Sequence, residues 1–142
     1  MIILIIAYNE KELELLARIM RAEALGEGEY GMLMVGNVVT NRVLADCLTF
    51  KKITSLTEAI YEKNQFVGTN SSLFQGRPTT KEKNLAKRVL QGEYYYPATH
   101  ALWFYTPGNN PCKNKWFNQN LAGQYKNHCF YAPKQNTCKS IY

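Results

Sequence analysis

Glu23 and Glu27 stand on either side of Gly26 in the run Ala22-Glu23-Ala24-Leu25-Gly26-Glu27. A carboxyl group beside apolar neighbours is suited to moving a proton to or from a polar bond. Upstream, Leu13, Leu16, Ala17, Met20 and Ala24 recur at helical spacing, which predicts a helix from about residue 10 to Gly26. Glu23 lies seven positions beyond Leu16, so at about 100° per residue it falls roughly 20° from that leucine, inside the apolar stripe. Burial disfavours the ionised carboxylate, and the negative end of the helix dipole disfavours it again, so both raise its pKa. A glutamic acid that keeps its proton near neutral pH is what a glycosidic oxygen needs as general acid. The alternative is a frayed helix end with Glu23 turned to solvent, where most glutamates lie. Glu27, across the Gly26 break, is not read as the second carboxylate of a glycosidase pair. Its expected role is to accept hydrogen bonds from backbone amides or from Asn41 and so fix the loop.

Other chemistries find little support. His100 and His128 are the only histidines and neither belongs to a cluster with metal-ligand spacing. No Gly-x-Ser-x-Gly elbow, phosphate-cradling glycine loop or Cys/His signature is present. Cys47, Cys112, Cys129 and Cys138 include no Cys-x-x-Cys pair, so zinc is not expected, nor any other metal or cofactor. One late disulfide and four free thiols both remain open. The formal charge of +6 suits a polyanion such as nucleic acid, an acidic membrane or bacterial wall. Basic residues are dispersed rather than gathered among the aromatics, which disfavours a nucleic-acid module.

Asn9 and Glu12 form a capping box for the first helix. A second helix is predicted over about Tyr30–Leu44, with Tyr30, Leu33, Met34, Val38 and Ala45 inward. Asn37 and Asn41 share that stripe, one turn apart, and as buried amides must find partners. They either tie the two helices together or hold the loop after Gly26 and help to position Glu23. Residues 46–56 are connective, Thr57–Lys63 is a short helix, and Thr69–Pro78 is a loop of the kind that borders a cleft. Thr79 and Glu82 open another capped helix, with Leu85, Ala86, Val89 and Leu90 inward and Gly92 closing it. Most aromatic residues then fall between Tyr94 and Tyr131. Residues 101–105 and 128–131 read as strands, separated by a loop at 107–111 and by Gly123, and they pair into a small antiparallel sheet. The expectation is a mainly helical α+β fold, residues 1–142 forming one domain. The apolar start, Met1 to Ala7, is a strand or core-docking arm and lacks the basic region of a signal peptide. No stretch reaches the roughly 20 apolar residues that span a bilayer.

Five pieces in order, Ala22-Glu23-Ala24-Leu25-Gly26-Glu27, Asn41-Arg42-Val43, Ile60 to Phe66, Ala101-Leu102-Trp103-Phe104-Tyr105 and His128-Cys129-Phe130-Tyr131, resemble the motifs of the SleB/CwlJ-type cell wall hydrolases. The resemblance covers roughly residues 9–132. It implies a core like that of goose-type lysozyme and the lytic transglycosylases, and cleavage of peptidoglycan between N-acetylmuramic acid and N-acetylglucosamine. It makes Glu23 the catalytic acid, matches Glu27 to the second Glu of its motif, and places Gln65 and Phe66 along the glycan groove. Asn41, Tyr105, His128 and Tyr131, also in matching motifs, contact the glycan or brace the residues that do. The implied partner is the glycan strand, met by a monomer without nucleic acid. The final acceptor, water or the muramic acid's own 6-hydroxyl, stays open. An amidase cutting the muramoyl to L-alanine bond is the competing enzyme reading. Members of this family commonly carry a secretion leader and a wall-binding domain; neither is read here, so reaching a wall calls for a holin, a virion or removal of a leader.

Overall fold

The computed structural model of the chain describes residues 4–62 and 66–142. Helix α1 spans Glu10–Ala24, and its start is fixed by the capping box: the Glu12 N–H donates to Asn9 Oδ1 at 2.8 Å while Glu12 reaches back to the Asn9 N–H. A 3-10 turn, Leu25–Glu27, joins it to helix α2, Gly28–Leu44. Helix α3, Leu56–Tyr61, is capped by Ser55, and helix α4, Thr80–Leu90, by the expected Thr79/Glu82 box. Among the described residues no helix is long and apolar enough to cross a membrane.

The helices pack through the predicted stripes, with Leu16, Leu33, Val38, Ala86, Val89 and Leu90 fully buried. They approach closely at Gly36, since a Cβ there would lie 2.8 Å from Val89 and 3.0 Å from the sulfur of Met20. Tyr30 departs from expectation: it is 55% exposed, with its ring edge-on to Tyr95 at 5.3 Å. It lies in the first turn of α2, where the stripe has not yet reached the core. The described part of the N-terminal segment is a core-docking arm and not a strand. Ile6 is buried, and the Ile5 N–H donates to the Leu90 carbonyl at 2.9 Å, closing the open end of α4.

The C-terminal half holds a four-stranded antiparallel sheet in the order β1-β4-β3-β2. Strands β1 (Trp103–Tyr105) and β4 (His128–Ala132) pair as predicted, with Phe104 opposite Phe130. Strands β2 (Lys115–Trp116) and β3 (Gln119–Tyr125) were not expected, and Gly123 lies inside β3 instead of ending an element. The register slips between Leu121 and Gly123, and a Cβ on Gly123 would stand 2.7 Å from Pro97. A bulge with a close backbone approach explains the glycine.

Asn37 and Asn41 do neither of the two things expected of them. Asn37 donates to the Glu93 carbonyl at 2.7 Å and accepts from the Tyr95 N–H at 3.0 Å. Asn41 donates towards the carbonyls of Ala98, Thr99 and Ala101, and Arg42 Nε donates to that of Leu102 at 2.7 Å. Buried polar side chains on α2 thus hold the irregular chain that runs into β1. All four cysteines are paired, Cys47 with Cys138 and Cys112 with Cys129, which excludes the reading of four free thiols.

Candidate active site

Glu23 sits on the last turn of α1, half-buried, where helical phase had placed it. Its Oε1 accepts the Gly68 N–H at 2.9 Å, and among the described residues no donor reaches Oε2. Burial pushes its carboxyl pKa above the ordinary value, while the Gly68 hydrogen bond and the positive charge of Arg42 partly restrain the rise. The Leu25 N–H donates to the Arg21 carbonyl, and the chain turns directly into Leu25–Glu27 and α2.

Gly68 reaches Glu23 because the 67–74 segment is pinned to the same helix. Arg18 and Arg21 of α1 donate to the carbonyls of Phe74, Leu73, Gln75 and Gly76, and Arg21 also pairs with Glu82 at 3.0 Å. The expected loop is therefore two short 3-10 turns, Val67–Asn70 and Ser72–Phe74, clamped against α1. A Cβ on Gly68 would lie 2.7 Å from Glu23 Oε1 and 3.1 Å from the Ala22 Cβ, so only glycine lets this backbone donate to the carboxylate.

Glu27 is 7% exposed, its Oε2 accepting the Asn127 N–H at 3.3 Å and its carbonyl accepting Lys126 Nζ at 3.1 Å. It fastens the turn behind Glu23 to the β3–β4 hairpin, through a backbone amide and not through Asn41. Gly31 leaves it room, because a Cβ there would be 2.3 Å from the Glu27 Cβ. His128, at the start of β4, is 3% exposed, and its Nδ1 has no partner among the described residues. Burial pushes its pKa below the ordinary value, against the opposing pull of Glu27 and the Glu23 backbone. A neutral imidazole is thus wedged behind the turn that carries both glutamates.

Arg42 is the residue that sequence reading passed over. It is 3% exposed, with its guanidinium carbon 4.5 Å from the centre of the Phe66 ring and 5.4 Å from that of Phe50. Burial lowers its pKa to about 9, and Glu23 pulls it back, so it remains a cation at neutral pH. Its Nη1 is buried without a partner among the described residues. Phe66 in turn packs on Phe104 at 6.0 Å, and Phe104 meets His128 at 5.0 Å. Arg42 and Phe104 also border a cavity of about 410 Å³ with Phe50, Trp103, Trp116 and Phe117.

The structure therefore gathers Glu23, Glu27, Phe66 and His128 in one neighbourhood and adds Gly68 and Arg42. Gln65 lies outside the described residues. Asn41 faces the 98–101 segment, as above. Tyr131 is fully buried and donates to the Lys113 carbonyl at 2.7 Å. Tyr105 stacks on Tyr131 at 5.8 Å and accepts the Lys113 N–H at 3.0 Å, beside the Cys112–Cys129 bond. These two tyrosines brace the loop after β1 and hold Trp116, which lies 4.8 Å from Tyr105.

The profile of a family described as Cell Wall Hydrolase matches residues 26–131. The cell wall hydrolase CwlJ of Oceanobacillus iheyensis is 45% identical over 139 residues, covering 97% of this chain and 98% of that one. Its Bacillus subtilis counterpart is 38% identical over 138 residues, covering 97% and 96%. Among solved structures, the catalytic domain of the germination-specific lytic transglycosylase SleB from Bacillus anthracis superposes with a TM-score of 0.70 at 19% identity, covering 88% of this chain and 97% of that one. The catalytic domain of the Bacillus cereus SleB protein gives 0.67 at 21% identity, covering 88% and 92%.

Proposed function

The chain belongs to the cell wall hydrolase family, and from that premise we propose that it cleaves the β-1,4 bond between N-acetylmuramic acid and N-acetylglucosamine in peptidoglycan of the wall or spore cortex, with Glu23 as its acid. The observation that carries this reading is the state of Glu23: half-buried at a helix end, one oxygen held by the Gly68 N–H and the other without a donor among the described residues. A carboxyl group so placed keeps its proton to higher pH than an exposed one and has a fixed direction in which to deliver it.

Glu23 donates that proton to the glycosidic oxygen as the C1–O bond breaks and an oxocarbenium-like centre develops on the muramic acid. The leaving sugar departs with a new 4-hydroxyl. Ionised Glu23 then takes a proton from the acceptor, which is the muramic acid's own 6-hydroxyl or a water, and the acceptor oxygen bonds to C1. The enzyme returns to its starting protonation in either case. Arg42, cationic and close enough to influence Glu23, favours the ionised intermediate without forming an ion pair with it. Glu27 and His128 hold the turn behind the reacting group and take no part in the proton transfer.

Glu23→Gln keeps the shape and loses the proton, so it is expected to fold normally and to lower turnover of purified sacculi by about 10²–10⁴-fold. Mass spectrometry of the released fragments reads the bond. Disaccharide peptides, whether reducing or 1,6-anhydro, support glycan cleavage; free peptides identify an amidase and overturn the reading. Wild-type turnover in the Gln variant removes Glu23 from the chemistry.

A further inference from the structure

The 410 Å³ cavity shares Arg42 and Phe104 with the Glu23 neighbourhood, and its lining includes Trp116, Phe117 and Gln119 at the tip of the β2–β3 hairpin. That tip is unusual. Phe117 and Asn118 both have left-handed backbones, with φ of 51° and 61°, in a two-residue hairpin turn where asparagine and glycine are preferred. A phenylalanine bears a steric cost in that conformation. Core packing does not repay it, since Phe117 is 66% exposed. The ring instead leans on Trp116 at 4.7 Å, and Trp116 is braced from behind by Tyr105 and by Tyr131 at 5.7 Å. Two adjoining aromatic faces are thus carried on a rigid mount at the rim of the cavity.

The same lining supplies polar groups. Arg42 is held by Nε to the Leu102 carbonyl and by the rings of Phe50 and Phe66, leaving Nη1 with no acceptor among the described residues. A buried guanidinium hydrogen without an acceptor is costly unless a ligand oxygen completes it. Thr49 and Gln119 add neutral hydrogen-bonding groups to the same lining. Aromatic faces that share a cavity with a fixed cationic donor fit a sugar ring that is apolar on one face and carries an acyl or acidic substituent on its edge.

We infer that this cavity is a saccharide subsite for the glycan strand, in which Trp116 and Phe117 stack on one hexosamine ring and Arg42 Nη1 donates to an oxygen of its acyl or lactyl substituent. The inference rests on the reading of Glu23 as the glycosidic acid, and its continuity with that site through Arg42 makes the occupant a sugar near the scissile bond.

Three variants test it. Phe117→Asn removes the ring and puts a residue that tolerates left-handed backbone in its place, so the Tm is expected to stay within about 2 °C of wild type. KM on purified sacculi is expected to rise by about three- to tenfold, with the loss on KM and not on kcat, because each tenfold corresponds to about 1.4 kcal/mol of stacking. Phe117→Trp restores KM to within about twofold. Asn118→Gly relaxes the same turn while keeping the ring, and its KM is expected to match wild type. Unchanged KM in Phe117→Asn, or an equal rise in Asn118→Gly, overturns the subsite. Retention of peptide-free glycan strands by Glu23→Gln protein, with and without Phe117→Asn, reads the subsite independently of catalysis. A failure of Glu23 as acid therefore remains distinguishable from a failure of Phe117 as platform.

Discussion

A carboxylic acid reaches its working pKa through a balance of few contacts, and in this chain the contacts around Glu23 are identifiable one by one. Burial raises the pKa, and the Gly68 N–H and Arg42 lower it. The sign of the pH dependence follows. A carboxyl whose folded pKa exceeds its unfolded value of 4.5 gives stability that is full below 4.5 and is lost as pH rises through the folded value. Glu23→Gln should therefore gain on wild type in chemical denaturation at pH 7 and lose that advantage as pH approaches 4.5. With Glu23 as the proposed acid, the wild-type kcat should fall on the alkaline side at a pH above that of an exposed glutamate, where the proton to be donated is gone. Gly68→Ala tests the other partner. Its methyl group would stand 2.7 Å from Oε1, so the carboxylate or the backbone must shift and the hydrogen bond is lost. On the proposed role of Glu23, a fall in kcat of about tenfold or more on sacculi is expected, since displacement of about an ångström disrupts proton delivery. Turnover equal to wild type would show that the Gly68 N–H does not set the position of Glu23. Glu23 was legible in the sequence because helical phase alone carries it inward. Gly68 was not, since nothing local marks the glycine whose backbone meets a side chain 45 positions earlier.

At the scale of elements, the strongest sequence signals were caps and apolar periods, and α1 and α4 show both. Their starts at Asn9 and Thr79 follow from side chains that satisfy otherwise unpaired N–H groups within the same turn. Strand β3 had no comparable signal. Its sequence, Gln119 to Tyr125, does not alternate, and it exists because β4 offers a partner edge on one side and Trp116 a short one on the other. The polar side chains of α2 mark the same boundary between local and long-range causes. Their burial was readable from phase, but their partners lie more than 50 positions away. Asn41→Ala strips a donor from the carbonyls at 98, 99 and 101, of which only that of Ala98 keeps a backbone partner, the Ala101 N–H, among the hydrogen bonds of the described residues. A cost of about 1–3 kcal/mol is expected in urea denaturation. Because that segment feeds β1, whose Phe104 packs on Phe66 and His128, activity should fall along with stability. A stability loss below about 0.5 kcal/mol would mean that the segment is held by other contacts.

For the molecule as a whole, two covalent links join parts that the helices leave apart. Cys112–Cys129 ties the loop after β1 to β4 across 17 positions, whereas Cys47–Cys138 ties the turn after α2 to the last turn of the chain across 91. Sequence spacing excluded a Cys-x-x-Cys site but could not choose the pairing, because proximity of residues 47 and 138 is a product of the finished fold. Ser140 reinforces the same junction, donating to the Leu44 carbonyl at 2.7 Å and accepting from the Asp46 N–H at 3.0 Å. Closing the longer loop removes more freedom from the unfolded chain, so its loss is expected to cost more. The double variant Cys47→Ser with Cys138→Ser should lower stability by about 2–5 kcal/mol, and the corresponding Cys112 and Cys129 pair by less. Thermal unfolding with and without reductant checks the ordering, and thiol titration of the denatured protein should find no free thiol before reduction and four after it. The site is expected to respond differently from the stability. Glu23, Glu27 and Gly68 belong to α1, the turn into α2 and the clamped 67–74 segment, which hold neither disulfide, whereas Cys129 adjoins His128 in β4 and Cys112–Cys129 borders the tyrosines that brace Trp116. Breaking the longer link should therefore lower Tm with little change in kcat at 25 °C, and breaking the shorter one should raise KM for sacculi. An equal kinetic effect from both would show that the hairpin and the helical half do not act as separable parts.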